Sequence, residues 1–173
     1  MWIKDFPGKI FEYMTCKISL NNWIPFIQIR FSETGKMIGQ KDAGLIAEFT
    51  DCYPYYVQQL AQKSWLRTET VCSGEIIEKS FHDLVLQLSM LFQNLTDGLS
   101  RTQSSFLKAL TENVDHLSSQ RTIQEYQLGT SANVVKIKKI HIYKEIIDIF
   151  GKEISFLDPL YKAWLMEYFF KDI

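Results

Sequence analysis

The chain has 173 residues, of which 46% are hydrophobic and 14% aromatic, and this composition excludes an intrinsically disordered chain. The length accommodates one domain or two small ones. The formal net charge of -1 excludes a general attraction to nucleic acid or to an anionic membrane, so any affinity for DNA must come from a local basic patch.

The N-terminal half of the chain is predicted to be almost entirely helical. A short strand is predicted at Lys17–Leu20, and Asn22 then caps a helix that runs from Trp23 to about Phe31. Pro25 is tolerated because it falls in the first turn of this predicted helix. The periodicity predicts a second helix over Lys41–Phe49.

Two further helices complete a predicted helical bundle. Pro54 opens the third helix, and Ser73 starts a long fourth one. Their apolar residues recur at helical spacing and are Val57, Leu60, Ala61 and Trp65 in the third helix and Ile77, Phe81, Leu84, Leu88, Leu91 and Leu95 in the fourth. The segment Thr96–Ser100, with Asp97-Gly98 at its centre, is the predicted boundary between two domains.

Three shorter helices are predicted beyond this boundary. They span Thr102–Asn113, Arg121–Gln127 and Ser131–Ile140, and Gly129 breaks the chain between the second and the third. The first of them carries an apolar stripe made of Phe106, Leu107, Ala109, Leu110 and Val114. This stripe is wide enough to bury the helix against the other two.

A β-hairpin is predicted after the third short helix. The β-rich runs Ile146–Phe150 and Glu153–Leu157 flank Gly151-Lys152, which is the two-residue spacing of a tight turn that needs a glycine with positive φ. The order of helix, helix, turn, helix and hairpin is typical of a winged-helix domain, in which the hairpin is the wing.

A last helix is predicted to follow the hairpin. Asp158 offers a side-chain oxygen as its N-cap, and Pro159 fits its first turn. The residues on its apolar face are Leu160, Trp164, Leu165 and Tyr168. We therefore expect the chain to fold back and pack.

The third short helix is the predicted recognition element of the winged helix. Ser131 is its expected N-cap, and Val134, Ile137 and Ile140 are expected to face the core. The candidate DNA-contacting residues are Ser131, Asn133, Lys136, Lys138, Lys139 and, in the hairpin turn, Lys152. Lysines neutralise phosphates, and an asparagine can read an adenine edge. Two alternatives stay open: the run Val135–Ile142 nearly alternates as in a strand, and a lysine-rich helix face is also typical of a solvated surface.

The cysteines and the apolar runs indicate the cellular compartment of the chain and whether it has a membrane partner. Cys16, Cys52 and Cys72 are odd in number and widely spaced, and no secretory apolar region follows the start of the chain. This pattern predicts a reducing cytoplasm. The longest apolar run, Leu84–Leu95, is interrupted by polar residues and is too short for a membrane span, so no membrane partner is expected.

The sequence offers no P-loop. The nearest match, Gly35-Lys36, has Arg30 where the first glycine of a P-loop belongs and Met37 where the magnesium-binding hydroxyl belongs. His116 and His141 are isolated, and no run of apolar residues ends in paired carboxylates. We therefore expect no ATP hydrolysis by this chain alone, no catalytic residue, no metal site and no cofactor of its own.

Four stretches of the chain carry a family resemblance. They are WIPFIQIRFSETGKMI at Trp23–Ile38, YPYYVQQLAQKSW at Tyr53–Trp65, LSRTQSSFLKAL at Leu99–Leu110 and LDPLYKAWL at Leu157–Leu165. Together they resemble the C-terminal half of the archaeal-type AAA-like ATPases related to the STAND NTPases. In that family a P-loop domain comes first, and a helical lid and a winged-helix domain follow it.

The resemblance implies a fold and a set of domains. The expected fold is mainly α, with a helical lid bundle followed by a winged-helix domain that has a small β-hairpin wing and a C-terminal helix. Residues 1–22 would be a remnant of the linker or strand from the missing nucleotide-binding domain, residues 23–96 the lid and residues 97–173 the winged helix. ATP and magnesium would bind only to a P-loop domain supplied elsewhere, in cis or in trans.

The resemblance also implies a nucleotide-sensing turn. The stretch that matches the lid motif is Cys52-Tyr53-Pro54-Tyr55-Tyr56, with Tyr53 and Pro54 as the candidate sensing residues, although the stretch departs from the motif at the position before the proline. Arg30 would contact a phosphate held by another domain. In the alternative interpretation, Arg30 is simply a cation that the helix dipole favours at a helix C-terminus.

Two functions remain open on the sequence, with a third in reserve. The first is a non-catalytic lid and winged-helix portion of an AAA-like ATPase that is regulatory and contacts duplex DNA. The second is a freestanding protein-interaction module that binds no nucleic acid. The reserve hypothesis is a nucleotide switch that binds nucleotide without hydrolysing it.

Overall fold

The computed structural model describes residues 19–151 and 153–171, and helices predominate in them. The predicted mainly helical class is confirmed. The chain divides after Gln87 into two compact units, which are described separately. Residues 17 and 18 of the predicted strand and residues 1–18 of the predicted linker lie outside the described residues, and Leu20–Asn22 belong to a helix.

The N-terminal unit contains four helices and two short strands among its described residues. They are α1 (Leu20–Ser32), β1 (Met37–Ile38), α2 (Gln40–Phe49), α3 (Pro54–Arg67), β2 (Val71–Cys72) and α4 (Gly74–Gln87). Each helix buries one apolar face, as the periodicity predicted. The core residues are Trp23, Ile27 and Phe31 from α1, Ala43, Ile46 and Ala47 from α2, Val57, Leu60 and Ala61 from α3, and Ile77, Leu84 and Val85 from α4.

Helix α1 begins earlier than predicted. Asn22 lies in its first turn, and Ser19 occupies the cap position without a side-chain hydrogen bond. The amide of Asn22 donates to the carbonyl of Ser19 at 2.9 Å, and Pro25 lies inside the helix rather than in its first turn. The predicted cap at Asn22 is therefore wrong. Burial of one helical face outweighs the local preference for asparagine at a cap and the cost of the proline.

Strands β1 and β2 form a parallel pair that the sequence did not predict. Met37 pairs with Val71 and Ile38 with Cys72. Ile38 and Cys72 are buried, whereas Met37 and Val71 are exposed. Two residues are too few to produce an alternating pattern, and the pairing joins residues far apart in sequence.

The C-terminal unit contains the remaining described elements. They are α5 (Ser89–Asp97), α6 (Arg101–Thr111), α7 (Gln120–Glu125), α8 (Ser131–Tyr143), β3 (Ile147–Phe150), β4 (Glu153–Phe156), α9 (Pro159–Trp164) and a π-helical turn at Leu165–Phe169. The predicted long fourth helix is wrong, because the chain breaks between α4 and α5 at Leu88. Beyond the break, Leu91 is 61% exposed, and Phe92 and Thr96 are the buried residues of α5 instead.

Helix α5 is held to the C-terminal helix of the same unit. The Trp164 indole donates to the Ser89 hydroxyl at 3.0 Å, and the Thr96 hydroxyl lies 2.9 Å from that of Tyr161. The ring of Phe92 lies 5.3 Å from that of Tyr161. These contacts place α5 in the C-terminal unit, so the units divide earlier in the chain than the predicted boundary at Thr96–Ser100.

The hairpin and the cap that follows it are confirmed. Strands β3 and β4 are antiparallel, with Phe150 paired to Glu153 across the two-residue turn, and Gly151 has φ +64°. The Asp158 carboxylate accepts hydrogen bonds from the first turn of α9, and Pro159 is its first residue. The hairpin and the last helix thus form where local sequence signals predict them.

Candidate nucleic-acid interface

Helix α8, the predicted recognition element, is longer than predicted. Its cap is Thr130, whose hydroxyl accepts from the amide of Asn133 at 3.2 Å, so the predicted cap at Ser131 is wrong by one residue. Ser131 is the exposed first residue of the helix. The helix runs through the whole of Val135–Ile142, which rules out the alternative of a strand there.

The inner face of α8 carries a buried histidine. Val134, Ile137 and His141 are buried at helical spacing. The His141 ring stacks on Phe106 of α6 at 5.6 Å, and its Nε2 lies 3.2 Å from the Gln103 carbonyl oxygen. Its Nδ1 is buried without a hydrogen-bond partner. The pKa of His141 is lowered to about 4, mainly by burial; the hydrogen bond with the Gln103 carbonyl opposes this shift, and the charge of the neighbouring Lys144 adds to it.

The sequence contained a signal for this burial. His141 continues the spacing of Val134 and Ile137, so a helix that extended past Ile140 would have placed it on the core face. The expectation that the helix ended near Ile140 hid this signal. Ile140 itself is half-buried.

The opposite side of α8 mixes lysines with apolar side chains. Lys136 and Lys139 are exposed, whereas Lys138 is half-buried. Val135 is 50% exposed and Tyr143 89% exposed. We call the exposed set the α8 outer face, and its residues are Val135, Lys136, Lys139, Ile142 and Tyr143. Since α8 contains no aspartate or glutamate, its lysines give this face a positive charge.

Asn133 does not face outward as predicted. It is half-buried, and its side-chain amide donates to the Leu128 carbonyl at 2.8 Å. Reading of an adenine edge would require this amide to leave that partner. The side chain of Lys152 lies outside the described residues. Lys144, which follows the helix, donates to the Gly98 carbonyl at 2.9 Å.

The predicted nucleotide-sensing residues lie in the N-terminal unit. Arg30, in the last turn of α1, forms an ion pair with Glu33 at 3.1 Å and lies over the ring of Phe26. Both contacts fit its alternative interpretation as a helix C-terminal cation. Tyr53 occupies the cap position of α3, and Pro54 is its buried first residue. These positions account for the two residues as a helix start.

The near match to a P-loop has a structural use. Gly35 has φ +75° in the turn that leads to β1. The Lys36 ammonium donates to the Trp65 carbonyl at 2.8 Å and lies 4.3 Å from the centroid of the Trp65 ring. The Trp65 indole in turn donates to the Thr34 hydroxyl. Lys36 therefore links the turn before β1 to α3.

The described part of the chain contains no group of three or more His, Cys, Asp and Glu residues arranged to hold a metal ion. Cys72 is a free thiol, and burial raises its pKa. Across residues 19–151 and 153–171, no helix combines the length and the apolar character that a membrane crossing requires.

Comparisons of the chain with family models, with curated proteins and with solved structures yield no match. The family resemblance therefore stays a prediction from the sequence. The α8 outer face is the feature of the described residues on which a functional argument can rest.

Proposed function

We propose that the chain is the non-catalytic lid and winged-helix portion of an AAA-like ATPase, with a regulatory role, and that its C-terminal unit contacts duplex DNA through α8. The observation that carries this proposal is the exposed pair Lys136 and Lys139 on a helix without acidic residues. The order of α6, α7, α8 and the β3–β4 hairpin supports it, because a winged helix has the same order.

The proposed contact is mainly to the DNA backbone. Lys136 and Lys139 lie about one helical turn apart, so both ammonium groups can approach phosphates along one groove. Asn133 is already bonded to the Leu128 carbonyl. We therefore expect weak sequence preference, since phosphate contacts carry no direct sequence information.

Salt dependence tests this contact. The fluorescence anisotropy of a labelled duplex is followed over a range of salt concentrations with the wild-type chain and with Lys136→Ala/Lys139→Ala. We expect the double variant to bind more weakly and to reduce the slope of log K against log salt by about one for each lysine. Lys79→Ala is the matched control, because Lys79 is an exposed helical lysine of the N-terminal unit. Equal slopes for all three proteins would refute a contact through α8.

In this proposal, ATP and magnesium bind only to a P-loop domain that is supplied in cis or in trans. The purified chain should show no ATP turnover and no rise in melting temperature with nucleotide. Turnover that persists through further purification would contradict the non-catalytic role, and a nucleotide-dependent rise in melting temperature would favour the nucleotide switch. The odd number of cysteines supports a cytoplasmic location within the same proposal.

A second function is favoured by the apolar part of the same unit. Val135, Tyr143 and Phe150 are exposed, and such side chains are typical of the centre of a protein interface. A freestanding protein-interaction module would bind no duplex DNA at any salt concentration. The anisotropy titration therefore separates the two functions.

A further inference from the structure

The outer side of the β3–β4 hairpin has the opposite character to the α8 outer face. Side chains alternate across a strand, so Asp148, Phe150, Glu153 and Ser155 share one side of the hairpin, according to the pairing register. All four are exposed, and Phe150 is 87% exposed. We call this set the hairpin outer face. It combines two carboxylates with a projecting aromatic ring.

Among the described residues, Lys136, Lys139, Asp148 and Glu153 form no salt bridge. The Asp148 carboxylate accepts a local hydrogen bond from the Ile149 amide at 2.7 Å. One face of the unit is thus basic and apolar, and another is acidic and aromatic.

We propose that the C-terminal unit binds a second copy of this chain, with the α8 outer face of each copy against the hairpin outer face of the other. In a two-fold arrangement the basic face of each copy meets the acidic face of the other and the assembly closes at two copies, whereas a head-to-tail arrangement of the same contact would not do so. Lys136 and Lys139 then meet Asp148 and Glu153 of the other copy. Val135 and Tyr143 surround Phe150 at the centre, where an aromatic anchor contributes most.

Self-association is favoured over other protein partners by this complementarity. A foreign partner for α8 would need carboxylates beside an apolar surface, and a foreign partner for the hairpin would need cations beside an apolar pocket. One copy of the chain supplies both surfaces on the same unit. The dimer covers the lysines that the proposed DNA contact uses, so duplex DNA and self-association would compete.

Charge reversal on each face separately provides the test. The first variant is Lys136→Glu/Lys139→Glu, and the second is Asp148→Lys/Glu153→Lys; both use the full chain without nucleic acid. Sedimentation velocity from micromolar to millimolar protein should show a dimer for the wild type and at least about tenfold weaker association for each variant. An equimolar mixture of the two variants should form a dimer, because each acidic face then meets a basic one.

Side-chain truncation tests the centre of the interface. Phe150→Ala should weaken the dimer, whereas Met90→Ala should leave it unchanged, because Met90 is a similarly exposed apolar residue of α5 that belongs to neither face. Circular dichroism establishes that each variant is folded, and all the substituted positions are exposed.

The results separate this inference from the proposed function. A wild type that stays monomeric at millimolar concentration overturns the dimer, as does a mixture of folded variants that fails to associate. A dimer that neither charge variant weakens overturns it as well. Because no DNA is present, these outcomes are independent of the anisotropy titration.

Discussion

The buried His141 should make the C-terminal unit sensitive to acid. Its ring is fully buried between α8 and α6, and its pKa is lowered to about 4 from the ordinary value of 6.5. In the unfolded chain the ring takes up a proton near pH 6.5, while the folded unit resists protonation until about pH 4. The unfolded state therefore binds more protons in this window, and stability falls as the pH falls through it.

The size of the effect follows from the shift in pKa. A shift from 6.5 to about 4 corresponds to about 3 kcal/mol of unfolding free energy once the pH is below both values. At pH 5 the loss relative to pH 8 should be about 2 kcal/mol, since most of the window has then been crossed. Carboxylates also contribute to acid unfolding, so the contribution of His141 must be isolated by substitution.

Urea unfolding at pH 8 and pH 5 measures this contribution. His141→Phe keeps a ring against Phe106 and cannot be protonated, so it should lose about 2 kcal/mol less than the wild type between the two pH values. His116→Gln is the control, because His116 is exposed, and it should lose as much as the wild type. An equal loss in His141→Phe, or a His141 imidazole that titrates near pH 6.5 by NMR in the folded chain, would refute the reasoning.

Three further substitutions test the local structure by their effect on the melting temperature and on urea unfolding. Gly44→Ala, inside α2, should stabilise the chain by about 0.5–1 kcal/mol, because the added methyl group would make an ordinary contact with Ile24 at 3.8 Å; a loss of stability would contradict this packing. Gly129→Ala should destabilise it by about 1–2 kcal/mol, because φ is +86° there and Asn133 lies 3.4 Å from the added atom. Asp158→Ala removes the cap of α9 and should cost about 1 kcal/mol, whereas an unchanged stability would show that the cap contributes nothing.

Features that depend on neighbours in the sequence were predicted well. The two-residue turn needs a glycine with positive φ, and Gly151 supplies it. The Asp158-Pro159 pair starts α9, and Pro54 starts α3, because each residue satisfies the chemistry of a helix start by itself. The predicted apolar stripe is buried along α6, whereas its last member, Val114, lies beyond the end of the helix and is half-buried.

Predictions that required a choice between adjacent local signals were less successful. Asn22 and Ser131 are residue types that favour the N-cap position of a helix. In the structure, however, Ser19 occupies the N-cap position of α1 and Thr130 that of α8. A shift of one or a few residues at a helix start changes the free energy of the isolated segment little. The packing of the helix against its neighbours therefore selects the start.

The candidate interface was predicted in part. Lys136 and Lys139 are exposed as expected, because a lysine between buried positions of a helix faces solvent. The hydrogen bond from the Asn133 side chain to the Leu128 carbonyl was not predictable, since it depends on the path of the turn at Gly129. The hairpin outer face became apparent only with the strand register.

By itself, the sequence determined the helical class, the hairpin, the local cap at Asp158 and the basic character of α8, because these follow from residues close together in the chain. Only the tertiary structure decided the break at Leu88, the parallel pairing of β1 with β2 and the burial of His141 against Phe106. Each of these depends on contacts between residues far apart in the chain. Such contacts are selected by the packing of the whole unit, which no local pattern specifies.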